Sequence, residues 1–192
     1  MENHEAPVLA TERLILRGWT DADRAPFAAM NADPRVMEFF PNPLTAEESD
    51  ALVDRIRQRF RLDGYGLWAV ERRDDGALLG FTGLAAATFE APFTPCIELG
   101  WRLAVDAWGH GYATEAARRV LEFGFDGLLL PEILSWTAVI NRRSQAVMKR
   151  LGMIHDSDFD HPRIAEGDRL RRHALYRLSV DRWRAARDAA AA

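Results

Sequence analysis

Apolar residues recur along the chain at two spacings, and the changes from one to the other outline its elements. "RLILRGW", Arg13 to Trp19, reads as a first strand. Thr20, Asp21 and Asp23 then supply helix-start chemistry for a segment running towards Met30, although Pro26 leaves its first turn open. Asp33 before Pro34 predicts a short helical piece containing Val36, Met37, Phe39 and Phe40, closed by "PNPLT". Thr45 and Glu48 form a capping-box pattern. The helix they open, through about Leu62, carries Leu52, Val53, Ile56 and Phe60 on one side and Asp54, Arg55, Arg57 and Arg59 largely elsewhere, and Gly64 and Gly66 end it.

"LWAVERR" and "ALLGFTGLAA" around "DDG" predict two antiparallel strands with Asp75 and Gly76 as the hairpin signal. After the Pro-bearing loop "TFEAPFTP", "CIELGWRLAV", Cys96 to Val105, predicts a fourth strand that runs directly into "DAWGHGYATEA". Ala113, Ala116, Ala117, Val120, Leu121 and Gly124 then form one helical stripe of a helix reaching about Phe125, while Thr114, Glu115, Arg118, Arg119 and Glu122 face away. The strand "EILSWTAVI" follows, then "NRRSQAVMKRLG" as a short helix ended by Gly152. Two late strands, near Met153 to Ser157 and Arg171 to Ser179, and a short helix around Trp183 complete the pattern, with a frayed alanine tail. No repeat, linker or boundary interrupts it. The expectation is one domain over residues 1–192, with a core of about 13–184 and flexible ends.

Composition narrows the class. With 48% apolar and 28% charged residues, the chain is not mainly disordered, and its length suffices for a core without disulfides or structural metal. Cys96 is the one cysteine, best read as a small buried apolar residue, and it points to a reducing, cytoplasmic setting. "MENHEAPVLA" has neither a basic nor an apolar leader region, and no stretch reaches transmembrane length. A net charge of -4 gives no footprint for nucleic acid; the arginines from Asp168 to Arg187 alternate with apolar residues as a solvated face does. The expectation is therefore no nucleic-acid and no membrane partner, with oligomeric state, including a homodimer, left open.

The loop bracketed by Gly109 and Gly111 carries the candidate chemistry. A helix start leaves backbone N–H groups unpaired at the positive end of its dipole, which suits a phosphate, and glycines let backbone and ligand approach. The residues alone favour an ordinary strand-to-helix turn, with the glycines there for geometry only. A P-loop would need Gly-Lys-Ser/Thr, which is absent. A dinucleotide fingerprint fits poorly, because Thr114 stands where a third glycine belongs and an antiparallel meander precedes the loop.

The order "RLILR", "GLWAVE", "GFTGL", "IELGWRL", "WGHGYATEA" and "NRRSQAVMKRLGM" resembles the GNAT superfamily of N-acetyltransferases from about Arg13 to Trp183, and most of all its branch of ribosomal-protein alanine acetyltransferases. The resemblance implies an α/β (α+β) fold: a mixed, mostly antiparallel twisted sheet flanked by helices, whose fourth and fifth strands splay to admit acetyl-CoA. It places Trp108, Gly111 and Ala113 on the family's Gln/Arg-x-x-Gly-x-Gly/Ala loop, so that Gly109, His110, Gly111, Tyr112, Ala113 and Thr114 face the pyrophosphate. Trp108 departs from the usual Gln/Arg and brings no charge. The strand edge at Leu103, Ala104 and Val105 would bond the pantetheine arm, and Asn141 and Ser144 match an Asn-x-x-Ser/Ala pattern in which Asn contacts it; helix-start duty is their alternative.

Amide formation from a thioester needs a neutral amine, a route for its proton and stabilisation of the developing oxyanion. Metal is not required. By the same resemblance Glu98 is the candidate base, directly or through water. The tyrosine that protonates the departing thiolate in many relatives is replaced by Met148, leaving Ser144 or water, with Tyr176 a distant candidate. Phe39, Phe40, Tyr65, Trp68 and the loop from Ala86 to Pro95 are candidate walls of the acceptor site, with core packing as their alternative. The expected function is acetyl transfer from acetyl-CoA to a primary amine, of a protein N-terminus or a small molecule, in a ternary complex. The alternative of another class is a non-catalytic acyl-CoA sensor of the same fold.

Overall fold

The computed structural model describes residues 5–191. A core of about 13–184 leaves residues 1–12 and 185–192 as the flexible ends expected; 1–4 and 192 lie outside the described residues, as does part of the segment read for a leader. Leu9–Ala10, however, is a strand, and the last helix continues to Ala191, so the alanine tail is helical that far rather than frayed. The chain forms two compact units, one of the residues up to Ala85 with Gly100–Val120, the other of Ala86–Leu99 and the residues from Leu121 onward.

In the first unit the strands β1 (Leu9–Ala10), β2 (Leu14–Arg17), β3 (Leu67–Arg72) and β4 (Leu78–Ala86, all but its last residue) follow one another as antiparallel neighbours. β5 (Ile97–Leu103) comes next in the sheet order and gives this unit its C-terminal half. Helix α1 (Arg24–Ala32) follows a 3-10 turn at Asp21–Asp23, which absorbs the start that Pro26 had left open. Helix α2 (Ala46–Asp63) begins as its capping box requires: Glu48 N donates to Thr45 Oγ1 at 3.2 Å and Thr45 N to Glu48 Oε2 at 2.8 Å. Gly64, at φ 72°, ends it. Val53, Ile56 and Phe60 are buried, and Phe60 meets Trp68 edge-on at 5.0 Å. Phe27, Trp19 and Phe81 extend the same core.

The segment 33–40 is not the helical piece expected. It is a run of turns, because Asp33 adopts an extended backbone at the end of α1 and its carboxylate binds the Arg35 amide and guanidinium instead of starting a helix. The two-residue strand β1 was also not foreseen, being too short to show a period.

In the second unit the N-terminal half of β5 pairs in parallel with β6 (Glu132–Ala138) at Glu98 and Leu134, and Ser135 Oγ donates to Leu99 O at 2.8 Å. β8 (Arg172–Ser179) lies antiparallel between β6 and β7 (Ile154–Asp160). Helix α3 (Tyr112–Glu122) runs from one unit into the other and passes into a π-helical turn, Phe123–Gly127, where Leu128 N reaches Phe123 O. Helix α4 (Arg142–Arg150) is short and capped, and α5 (Val180–Ala191) seats Trp183 against Phe125, 5.6 Å between ring centres. The eight strands thus form the expected mixed, mostly antiparallel β-structure flanked by helices. β7 is almost wholly exposed, and its carboxylates Asp156, Asp158 and Asp160 guard an edge that would otherwise pair with other chains.

Candidate active site

β5 ends at Leu103, so Ala104 and Val105 do not continue a strand edge as expected. Val105–Ala107 is a 3-10 turn held by Ala107 N to Ala104 O and Trp108 N to Val105 O. Ala104 N donates to Leu79 O at 2.9 Å, which removes that amide as a donor to a ligand; of this pair only the Val105 amide is unpaired among the described residues. The Trp108 indole turns back and donates to Leu103 O at 2.9 Å. The residue that departs from the family's Gln/Arg therefore closes the turn between strand and loop.

The loop itself is shaped by positive φ at Gly109 (80°) and Gly111 (82°). Gly111 O accepts from Glu115 N at 3.0 Å, which starts α3, and among the described residues no amide from Gly109 to Thr114 is hydrogen-bonded. A clamp from the turn between β1 and β2 holds this cradle. Glu115 Oε1 accepts from Thr11 Oγ1 at 2.6 Å and from Arg13 N at 3.0 Å, and Arg13 Nε donates to Glu115 Oε2 at 2.7 Å. Burial opposes the charge on Glu115, yet the bonds from Thr11 and Arg13 outweigh it and hold the carboxyl below its ordinary range. Arg13 Nη1 also donates to His110 O at 3.0 Å, and the guanidinium lies 4.7 Å from the centre of the Tyr112 ring, on which His110 stacks. In a trans peptide the C=O and the next N–H point opposite ways, so tying His110 O to Arg13 turns the Gly111 N–H away from Arg13. A Cβ on Gly111 would meet Arg13 Nη2 at 3.6 Å, an ordinary contact. Glycine is needed there for its φ, rather than for room at the ligand.

Asn141 and Ser144, in the second unit, hold each other. Asn141 caps α4 with Oδ1 accepting from Ser144 N at 3.2 Å, while Nδ2 donates to Thr137 Oγ1 at 2.9 Å and to Ser144 Oγ at 3.1 Å. The Ser144 hydroxyl is thus an acceptor within the protein, and among the described residues it donates to no partner. Met148, one turn on, is buried, and so is Tyr176, whose hydroxyl is 3.4 Å from Gln145 Oε1. Glu98 is half-buried with no hydrogen bond among the described residues, and its removal from water pushes its pKa up to about 8.

The aromatic candidates divide. Trp68 is wholly buried, donates its indole N–H to Pro7 O at 2.7 Å and belongs to the core, so it is no wall of an acceptor site. Tyr65 is half-buried between α2 and β3, Phe39 lies in the 33–40 turns, and Phe40 beside it is exposed. In the second unit the loop from Ala86 to Pro95 carries Phe89 and Phe93 against Trp136 and Phe159, with ring centres 4.8–6.2 Å apart. Arg163 fastens this loop through the Thr88 carbonyl and hydroxyl. His161 packs on Phe89 and next to His173, and burial, then the neighbouring His173 and Arg163, push its pKa down to about 4.

Residues 13–154 match the family model described as acetyltransferase (GNAT) domain. The chain belongs to the GNAT acetyltransferase family. Among this protein's GNAT relatives is the FsC-acetyl coenzyme A-N(2)-transacetylase of Aspergillus fumigatus, 30% identical over 190 residues that cover 92% of this chain and 78% of the relative. The solved acetyltransferase from Agrobacterium tumefaciens is 29% identical, with a TM-score of 0.73 and coverage of 91% of this chain and 95% of that one. The ribosomal-protein-S5-alanine acetyltransferase from Vibrio fischeri shares the fold, with a TM-score of 0.73 at 15% identity over 92% of this chain and 98% of that one. Among the described residues of this GNAT protein no group of three or more His, Cys, Asp or Glu could hold a metal ion, and no helix is long and apolar enough to cross a membrane.

Arg13, Thr11 and Glu115 are the residues that sequence reasoning missed. Arg13 stands about a hundred positions before the loop it clamps, and Glu115 sits on the helix face read as turned away, so no local spacing signals their meeting.

Proposed function

We propose that this GNAT acetyltransferase moves the acetyl group of acetyl-CoA to a primary amine, of a small molecule or a protein N-terminus, by direct attack in a ternary complex. The observation that carries the reading is the run of six unpaired amides, Gly109 to Thr114, at the start of α3. Such a cradle suits the pyrophosphate through hydrogen bonds and the positive end of the helix dipole. The name of the Aspergillus relative, which joins acetyl coenzyme A to an N(2) acceptor, supports the same donor and acceptor classes.

Acetyl-CoA would supply the activated thioester. Val105 offers a free amide to the pantetheine arm. As the C–N bond forms and the C–S bond breaks, Glu98, once ionised, takes the proton leaving the amine, directly or through water. Ser144, its oxygen already bonded by Asn141, has a proton to give to the departing thiolate. We place the reaction in the cytoplasm, without metal, nucleic acid or membrane.

A thiol-release screen of amines and peptides with acetyl-CoA tests the reading. Turnover-dependent thiol release with formation of the N-acetyl product is expected. Tight acetyl-CoA binding without transfer to any amine would favour the acyl-CoA sensor.

A further inference from the structure

β5 carries a second charged side chain that no carboxylate meets. Arg102 turns into the first unit, where its guanidinium lies 4.0 Å from the centre of the Phe40 ring and 5.4 Å from that of Phe81. Nη1 donates to Asn31 Oδ1 at 2.8 Å, and Asn31, fully buried, passes its own amide to Ser49 Oγ at 2.9 Å. Nε is enclosed and has no hydrogen-bond partner. Among the described residues no Asp or Glu pairs with Arg102. Burial pushes its pKa down to about 10, so it remains charged at neutral pH.

An enclosed cation without a counter-charge is unfavourable, and a neutral amide oxygen with two ring faces offsets this only in part. The arrangement also has a direction. With Nη1 given to Asn31, the Nε–Nη2 edge remains, and that fork matches the two oxygens of a carboxylate. Phe40, whose ring lies over the guanidinium and is 37% exposed, is the side chain that turns aside for a carboxylate to reach the enclosed Nε.

We propose that Arg102, with Asn31, Phe40 and Phe81, anchors a carboxylate-binding subsite, and that the acceptor amine carries the carboxylate it takes. The first half stands apart from the acetyl-transfer reading; the second rests on it. The six loop amides already provide for the phosphates of CoA, whereas a single guanidinium edge between rings fits a planar monoanion.

The Arg102 Nε–Hε resonance of the full-length protein, assigned by through-bond correlation, reads the subsite directly. Titration with benzoate should shift it saturably, while benzamide, the same shape without charge, and CoA should not. Asn31→Asp places a carboxylate beside Nη1 inside the protein, so it should raise the melting temperature and weaken the benzoate shift at least about tenfold. Absence of a benzoate shift, an equal shift with benzamide, or undiminished benzoate binding in a folded Asn31→Asp protein would overturn the subsite. A shift with CoA alone would assign the group to the nucleotide and overturn it too. For the second half, kcat/KM for ω-amino acids should exceed that for their carboxamides at least about tenfold. Equal values would overturn the acceptor's carboxylate and leave the subsite standing, while failure to acetylate any amine would sink the acetyl-transfer reading without touching the resonance titration.

Discussion

Glu98 keeps its proton until the pH approaches 8, because enclosure raises its pKa from an ordinary value of 4.5. As a base it therefore works on the alkaline side: kcat/KM should rise with pH through about 8, and Glu98→Gln should flatten that limb and lower turnover by about 10²–10⁴-fold. The sign for stability is the reverse. The folded state binds more protons between pH 4.5 and about 8, so the parent should lose stability relative to Glu98→Gln as pH rises through that window, which urea melts at two pH values would record. A full rate with an unchanged pH profile in Glu98→Gln would make the carboxyl structural. Ser144→Ala should slow single-turnover acetyl transfer while acetyl-CoA affinity is nearly kept; an unchanged rate would reduce the hydroxyl to its place in the α4 cap. The family resemblance made Glu98 and Ser144 legible as candidates. The burial that sets the first group's pKa and the Asn141 bond that frees the second group's proton depend on packing and were not.

At the scale of elements, caps and buried stripes were readable, whereas a competing local contact and pairings with distant partners were not. The Thr45 and Glu48 cap and the buried stripe of α3 formed as their spacing required. The 33–40 segment has apolar residues at helical spacing, yet Asp33 spends its carboxylate on Arg35 and turns result. The pairing of Arg13 with Glu115 joins the turn between β1 and β2 to the α3 start across the sequence, and Arg13 also ties down the loop carbonyl of His110. Arg13→Met, which keeps the stem and removes the charge, should raise KM for acetyl-CoA several-fold with kcat little changed, and Arg13→Lys should restore part of the loss. A fall in kcat with KM constant would contradict a positioning role. Asn141→Ala should cost α4 about 0.5–2 kcal/mol, measured by chemical denaturation, since it removes the helix cap.

For the whole molecule, family and fold follow from the order of elements, which the chain displays from Arg13 onward, while the identity of the acceptor depends on side chains whose neighbours no motif records. Arg102 illustrates this: it reads as an ordinary polar position of a strand until Asn31, Phe40 and Phe81 are seen around it. The central claim is that the start of α3 holds the pyrophosphate of acetyl-CoA. Gly111, at φ 82°, is its most exacting residue, because a β-branched side chain there would strain the backbone by about 1–2 kcal/mol or turn the amides out of line. Calorimetric titration of the parent and of Gly111→Val with acetyl-CoA, each shown folded by its melting curve, tests that claim most directly. Saturable binding by the parent, weakened at least about tenfold in Gly111→Val, is the predicted result; equal affinity in the two folded proteins would contradict it.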